Sequence, residues 1–349
     1  MLIKNLKLKN YRNYKDYNVR FNKNLNIIVG ENGIGKTNAL ESIMVVSNSK
    51  SFRTNNDQDL ILKGEEFLAI ELQSETNNFK VVINQKAKSL YIDDNPIKKT
   101  SDFIGKLNAV LFKPSDLELF NDAPSERRKI LDLEISKVNK EYLRALLKYN
   151  SLLKDKNKLL KEIEIDHDLL NVIEESMIPA IQTIIEGRES FINKINKRIS
   201  DYYEKISGVK SEIKVIYKKC CDVNNIKQEL QEHKTKDEYY HYATFGPHHE
   251  DFYFTMGDYE LNSIASQGQK RMTLIAFKFA LIEYIQESTG TTPIVLLDDV
   301  LSELDKNNKE RLLNNLPKDA QVILTNTDIR NLQIDKEFKL INLKEDKDV

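Results

Sequence analysis

The chain has 349 residues, 40% of them apolar and 31% charged, with 53 basic side chains against 54 acidic ones. That length holds one large domain or two modest ones, the composition excludes extensive disorder, and the cancelling charge confines any nucleic-acid surface to a local patch. The longest apolar runs, such as 294–297, fall far short of the ~20 residues a bilayer span needs, and the alternating N-terminus lacks a signal peptide's solid apolar stretch, so a cytoplasmic location is expected.

In chain order, the first third reads as strands and turns. Alternation over 2–8 and a mostly apolar run over 25–29 are followed by strand patterns at 67–72, 79–83 and 90–92. From about 125 to 207 the apolar spacing becomes helical amid many Lys and Glu, and turn-prone Asp166, Asp168 and Asn171 divide that block in two. It predicts an antiparallel pair of helices, each of roughly 35 residues and about 50 Å long. The last third returns to an α/β pattern: a helix after Ser266, a buried strand at 294–297, a helix from Lys306 and a buried strand at 322–324. Three parts are therefore expected: 1–124, 125–207 as an inserted arm, and 208–349. The two cysteines, Cys220 and Cys221, are adjacent, which strains a disulfide and lacks the spacing of a zinc site, so both are expected to be reduced thiols. His241, His248 and His249 have no carboxylate or thiol spacing to make them a metal site.

Three motifs carry chemistry. Gly30, Glu31, Asn32, Gly33, Ile34, Gly35, Lys36 and Thr37 form G-x-x-x-x-G-K-T between an apolar strand and an amphipathic stretch opening at Asn38. Glycines let backbone N–H groups wrap phosphates, and the helix start adds its positive dipole end. ATP and Mg²⁺ are the expected ligands: Lys36 would neutralise the β- and γ-phosphates, while Thr37 would ligate the metal. Asp298 and Asp299 end an apolar strand, where an α/β sheet presents ligand-binding groups; Asp298 suits a Mg²⁺ carboxylate and Asp299 a general base or orienter of water. Ser266, Gly268 and Gln269 open a helix that alone reads as ordinarily capped. Between the phosphate loop upstream and the acid pair roughly thirty residues downstream, the segment reads as a second nucleotide contact.

That order of motifs, with the Ser302-Glu303-Leu304-Asp305 segment after the acids, resembles ABC-type ATPase heads. The resemblance implies an α/β head, with a P-loop and a mixed sheet covered by helices, carrying an inserted short helical arm. It also implies that the Ser266 signature of one copy caps the γ-phosphate held by another, hence an ATP-dependent C₂ homodimer. Leu8 to Tyr14, Lys50 to Thr54, Phe112 to Leu117, Pro124 to Arg128, Phe245 to His248 and Ser266 to Gln269 are similar to RecF-family segments, in RecF order over nearly the whole chain. Two features depart from the pattern. His249 and Glu250 stand where the family usually has Arg and Asp, removing a fixed positive charge. Thr327 occupies the position of the ABC switch histidine and no glutamine lies near Pro114, which implies slow hydrolysis.

The resemblance further implies a weak, DNA-stimulated ATPase that binds duplex DNA and single-strand/duplex junctions and acts with RecR and RecO to load recombinase at gaps. Candidate phosphate contacts are Lys50, Arg53, Lys98, Lys99, Lys106, Arg127 and Arg128. The alternatives are an SMC-like or other ABC-type ATPase with a different DNA or ribosome task, and a transporter's nucleotide-binding subunit. The latter would lack the sheet-rich stretch and arm between 69 and 207.

Overall fold

A computed structural model of the chain describes residues 1–328 and 337–343. In order these form β1 (Ile3–Tyr11), β2 (Tyr14–Arg20), β3 (Leu25–Val29), α1 (Lys36–Asn48), β4 (Phe67–Ser74), β5 (Asn78–Asn84), β6 (Lys88–Ile92), β7 (Asn95–Ile97), α2 (Thr100–Phe103) and β8 (Ala109–Phe112). Next come α3 (Pro124–Val138), α4 (Lys140–Leu159), α5 (His167–Asn196), α6 (Ile199–Ser207), β9 (Ile213–Lys218), α7 (Ile226–Tyr240), β10 (Asp251–Met256), β11 (Tyr259–Glu260) and α8 (Leu261–Ile264). The chain continues through α9 (Gln267–Thr289), β12 (Ile294–Asp298), α10 (Lys306–Asn315), β13 (Val322–Asn326) and β14 (Phe338–Asn342).

These elements divide into two compact units. The first comprises 1–116, 204–209 and 274–349; the second comprises 117–203 and 210–273. The division differs from the expected cuts at 124 and 207. β9 packs on α5 and β10 on α3, so the segment that follows the helices joins them instead of the phosphate-loop unit.

Within the first unit, β2-β1-β4-β5-β6-β7 make an antiparallel sheet and β14-β3-β13-β12-β8 a parallel one. The antiparallel strands alternate, as in β5, where Phe79, Val81 and Ile83 point to the core. β12 and β13 are buried at every residue, as expected of a parallel sheet covered on both faces. α1 touches β4 and β5 of one sheet and β8, β12 and β13 of the other, so nearly its whole surface is buried. Its Ala39, Leu40, Ile43 and Val45 join both sheets in one apolar cluster, each large aliphatic contributing about 1.5–3 kcal/mol. The 30–37 loop is thereby attached to a helix buried on nearly every side.

In the second unit α4 and α5 pack against each other with 20 and 30 residues, so about 30 and 45 Å long, shorter than the expected pair because Asn139 ends α3 and caps the start of α4, and α5 stops at Asn196 ahead of α6. Their close approach needs Gly187, where a Cβ would come within 2.4 Å of the Tyr142 ring. Asp166 does mark the boundary between them, capping α5 by accepting from Leu169 N (2.9 Å). Asp168 and Asn171 instead lie inside α5, where a first-turn acid complements the helix dipole. β9, β10 and β11 form a small antiparallel sheet.

Candidate nucleotide-binding site

The parallel register gathers the site. β3 and β12 are both paired to β13, so their C-terminal ends, Val29 leading into Gly30 and Asp298 beside Thr325, lie at the same sheet edge. Gly35 has φ +117°, and a Cβ there would meet the side chains of Asn13 and Tyr14 within 2.9 Å. Those two residues brace the loop: Asn13 Nδ2 donates to Ile34 O (2.8 Å) and the Tyr14 hydroxyl to Gly35 O (3.0 Å). Asn38 extends the brace, donating to Asn13 Oδ1 (2.8 Å) while accepting from Arg53 Nη1 (2.7 Å).

Lys36 is the first residue of α1, and Gly35 before it offers no side-chain cap, which leaves the first-turn N–H groups to an external acceptor. The Lys36 ammonium curls over the loop and donates to Gly30 O (2.6 Å) and Glu31 O (2.8 Å). Burial lowers its pKa, opposed by the nearby negative charges of Asp299 and Asp298. Glu31, Asn32 and Gly33 form the exposed lip.

Thr37 Oγ1 donates to Asp298 Oδ1 (3.0 Å), and Thr325 Oγ1 donates to the same oxygen (2.8 Å). Burial raises the Asp298 pKa; the bonds from Thr325 and Thr37 pull it the other way without cancelling the effect. A buried carboxylate so placed, touching a hydroxyl one residue past the loop lysine, fits the protein's share of a Mg²⁺ shell. No cluster of three His, Cys, Asp or Glu side chains able to hold a metal occurs among the described residues, so other oxygens must complete such a shell. Asp299 has φ +51°, its N–H is fixed by Thr325 Oγ1 (3.0 Å), and its buried Oδ1 has no hydrogen-bond partner among the described residues. That oxygen is suited to accept a bond from a water near the phosphates. Thr327 follows β13 at the same sheet end, exposed, with its N–H bonded to Asn326 Oδ1 (2.7 Å).

Sequence reasoning gave no role to Asn13, Tyr14, Thr325 or Glu41. Glu41, one turn beyond Thr37, is fully buried and accepts from Arg12 Nε (2.9 Å) and Nη2 (2.7 Å) and from Ser51 Oγ (2.6 Å). An acid on the helix that follows a phosphate loop, with an arginine in the first hairpin, was the available signal.

In the second unit, Ser266 and Gln269 form a reciprocal capping box: Gln269 N donates to Ser266 Oγ (3.3 Å) and Ser266 N to Gln269 Oε1 (2.8 Å). Both are exposed, as is Gly268, so the start of α9 faces solvent. Lys50, Arg53, Lys98, Lys99 and Lys106 are exposed on the first unit. Arg127 and Arg128 are employed within the second. Arg127 grips Asp251 through two bonds (2.8 and 2.6 Å) and Arg128 donates to Glu250 O (2.6 Å). Where the family's usual Asp is replaced, Glu250 is buried and accepts from Arg188 Nη1 (2.6 Å). His249 contacts the Ala243 carbonyl (3.2 Å).

The family model for the RecF/RecN/SMC N terminal domain matches residues 2–348. The DNA replication and repair protein RecF of Lachnospira eligens is 37% identical, covering 97% of this chain and 98% of its own length; that of Oenococcus oeni is 36% identical, covering 99% and 98%. Among solved structures, the recombination mediator RecF with ATP, of the RecFOR pathway, superposes with a TM-score of 0.88 at 32% identity, covering 95% of each chain. The Smc head domain of Pyrococcus furiosus shares the fold, with a TM-score of 0.53 at 19% identity over 93% of this chain and 89% of its own. Matched by that family model over residues 2–348 and similar to these relatives over nearly its whole length, the chain, an ABC-type α/β head, belongs to the RecF family of DNA replication and repair proteins.

Proposed function

We propose that this protein is an ATP-switched DNA-binding clamp: two copies close on ATP and Mg²⁺, hold duplex DNA near single-strand gaps, and release it after slow hydrolysis. The observation that carries the reading is the meeting of Thr37 with Asp298 at 3.0 Å, next in sequence to Asp299, whose Oδ1 has no hydrogen-bond partner among the described residues, with both acids near enough to act on the charge of Lys36. ATP as ligand is supported by the solved RecF relatives, which are complexes with ATP or an analogue.

In this reading the loop N–H groups and Lys36 hold the β- and γ-phosphates, and Mg²⁺, when bound, neutralises charge as the terminal phosphoryl group leaves. Asp299 orients water toward the γ-phosphate. Thr327, uncharged, takes no proton, which favours slow turnover. Ser266, Gly268 and Gln269 of a second copy close the site, their helix N-terminus supplying N–H donors to the γ-phosphate. Lys50, Arg53, Lys98, Lys99 and Lys106 meet the phosphodiester backbone; Arg127 and Arg128 are left out because both are engaged inside the fold. RecR and RecO are the expected partners in loading recombinase.

Filter retention of a duplex fragment tests the DNA reading. Retention should require ATP, be lost in Lys36→Ala, and fall steeply between low and moderate salt as phosphate contacts exchange with counterions. Binding that is indifferent to ATP, or flat with salt, would refute it.

A further inference from the structure

Of twelve exposed large hydrophobic side chains among the described residues, six lie at one end of the second unit: Ile163, Leu169, Val172, Tyr239, Tyr240 and Tyr242. Tyr239 is 76% exposed and Ile163 fully so. They are brought together because the end of α4, the 160–166 loop, the start of α5 and the end of α7 are tied to one another. His241 Nδ1 meets Leu160 O (2.9 Å), Ala243 N donates to Asn157 Oδ1 (2.7 Å), and Lys234 Nζ donates to Asn171 Oδ1 (2.9 Å). The three tyrosines also pack on each other, Tyr239 edge-on to Tyr240 with centroids 5.0 Å apart and Tyr240 to Tyr242 at 5.9 Å.

This end rests on a fixed base. Lys156 is wholly buried in α4 and bonds Glu174 of α5 (2.7 Å) and Asp237 of α7 (2.7 Å), while Asp237 Oδ1 accepts from Thr244 N (2.7 Å) and Oγ1 (2.6 Å). A desolvated ion triad is an expensive way to join three helices when apolar packing would serve, and it favours one register over others. Exposed apolar groups on a rigid, preorganised base have the character of a binding surface, and tyrosine is among the residues enriched at such surfaces.

Charge selects the occupant. Over 161–168 the exposed acids Glu162, Glu164, Asp166 and Asp168 stand against one lysine, Lys161, and one histidine, His167, which faces Glu238 (3.5 Å), and the acids alternate with Ile163 and Ile165. A phosphate backbone would be repelled there; a polypeptide bearing cations around apolar side chains would be attracted.

We propose that this end of the helical unit, formed by the 162–172 segment and Tyr239, Tyr240 and Tyr242, docks a cationic amphipathic segment of a partner protein. This end shares no residue with the nucleotide site or with the DNA contacts proposed above.

The test is fluorescence anisotropy with the full chain and a labelled helical peptide carrying lysines on one face and leucines on the other, against a counterpart with glutamates for lysines. The lysine peptide should bind, more weakly as salt rises. Glu162→Lys with Glu164→Lys should weaken it about tenfold and flatten the salt dependence, whereas Tyr239→Ser with Tyr240→Ser should weaken it about tenfold and leave the salt slope intact. All four side chains are exposed, so thermal melting of both variants should match the parent. Equal binding by parent and variants, equal binding of the glutamate peptide, or competition by an oligothymidine would overturn the proposal, the last in favour of a nucleic-acid platform.

Discussion

At the residue scale, the acid pair shows how one sheet edge gives neighbouring carboxyls different surroundings. Asp298 is buried between two threonine hydroxyls, and its burial raises the carboxyl above the ordinary value of 3.8. Between that value and its value in the fold, the native state holds more protons than the unfolded chain, so stability falls as pH rises through the interval, and the ionised group remains a cost above it. Asp298→Asn should therefore melt higher than the parent at pH 7 without ligands and show less loss between acid and neutral pH. It should also lose the further stabilisation that Mg²⁺ gives the parent in the presence of ATP. A lower melting point at pH 7 would mean that the carboxylate is needed for folding, against this reading. Asp299 differs because its carboxyl oxygen is unpartnered and its backbone is left-handed, a conformation Asn also tolerates, so Asp299→Asn changes the chemistry without straining the turn.

At the element scale, α1 is held by more than apolar packing. Glu41 receives Arg12 and Ser51, coupling α1 to the first hairpin and to the segment after its own C-terminus. Glu41→Ala would take its carboxylate from the Arg12 guanidinium, leaving only the bond to Asp59 O (3.0 Å), and breaking a buried pair costs up to about 3 kcal/mol where the remaining charge is partly solvated. Urea unfolding should show that loss, while Glu41→Leu combined with Arg12→Met should recover much of it; a double variant as unstable as the single would contradict the pairing as the cause. This element also shows what the sequence reveals. The loop at 30–37, the apolar strand ending at Asp298 and the capped start of α9 are local patterns, legible because chemistry and spacing occur within a few residues. Asn13, Thr325 and the Arg12–Glu41 pair were not legible, since their contacts depend on which strands become neighbours. The partner of Arg127 was hidden for the same reason: Asp251 is 124 residues away, and an arginine in a helical pattern gives no sign of it.

At the scale of the whole molecule, the change from strand to helical period located the arm's helices but not the compact unit they belong to, because residues 210–273 return to the helices through β9, β10 and α7. Ser266 therefore belongs to the helical unit and the 30–37 loop to the other. The proposed assembly gives this division a purpose, since each copy offers an exposed signature to another copy's nucleotide. The most direct measurement is the solution mass of the Asp299→Asn protein with Mg²⁺, with and without ATP, alone and combined with Ser266→Arg. Without ATP the chain should run near its 40.6 kDa monomer mass. With ATP, Asp299→Asn should shift to about double that mass and the Ser266→Arg combination should stay monomeric while still binding the nucleotide. A protein that stays monomeric with saturating ATP, or a combined variant that still doubles, would contradict closure of the site by a second copy.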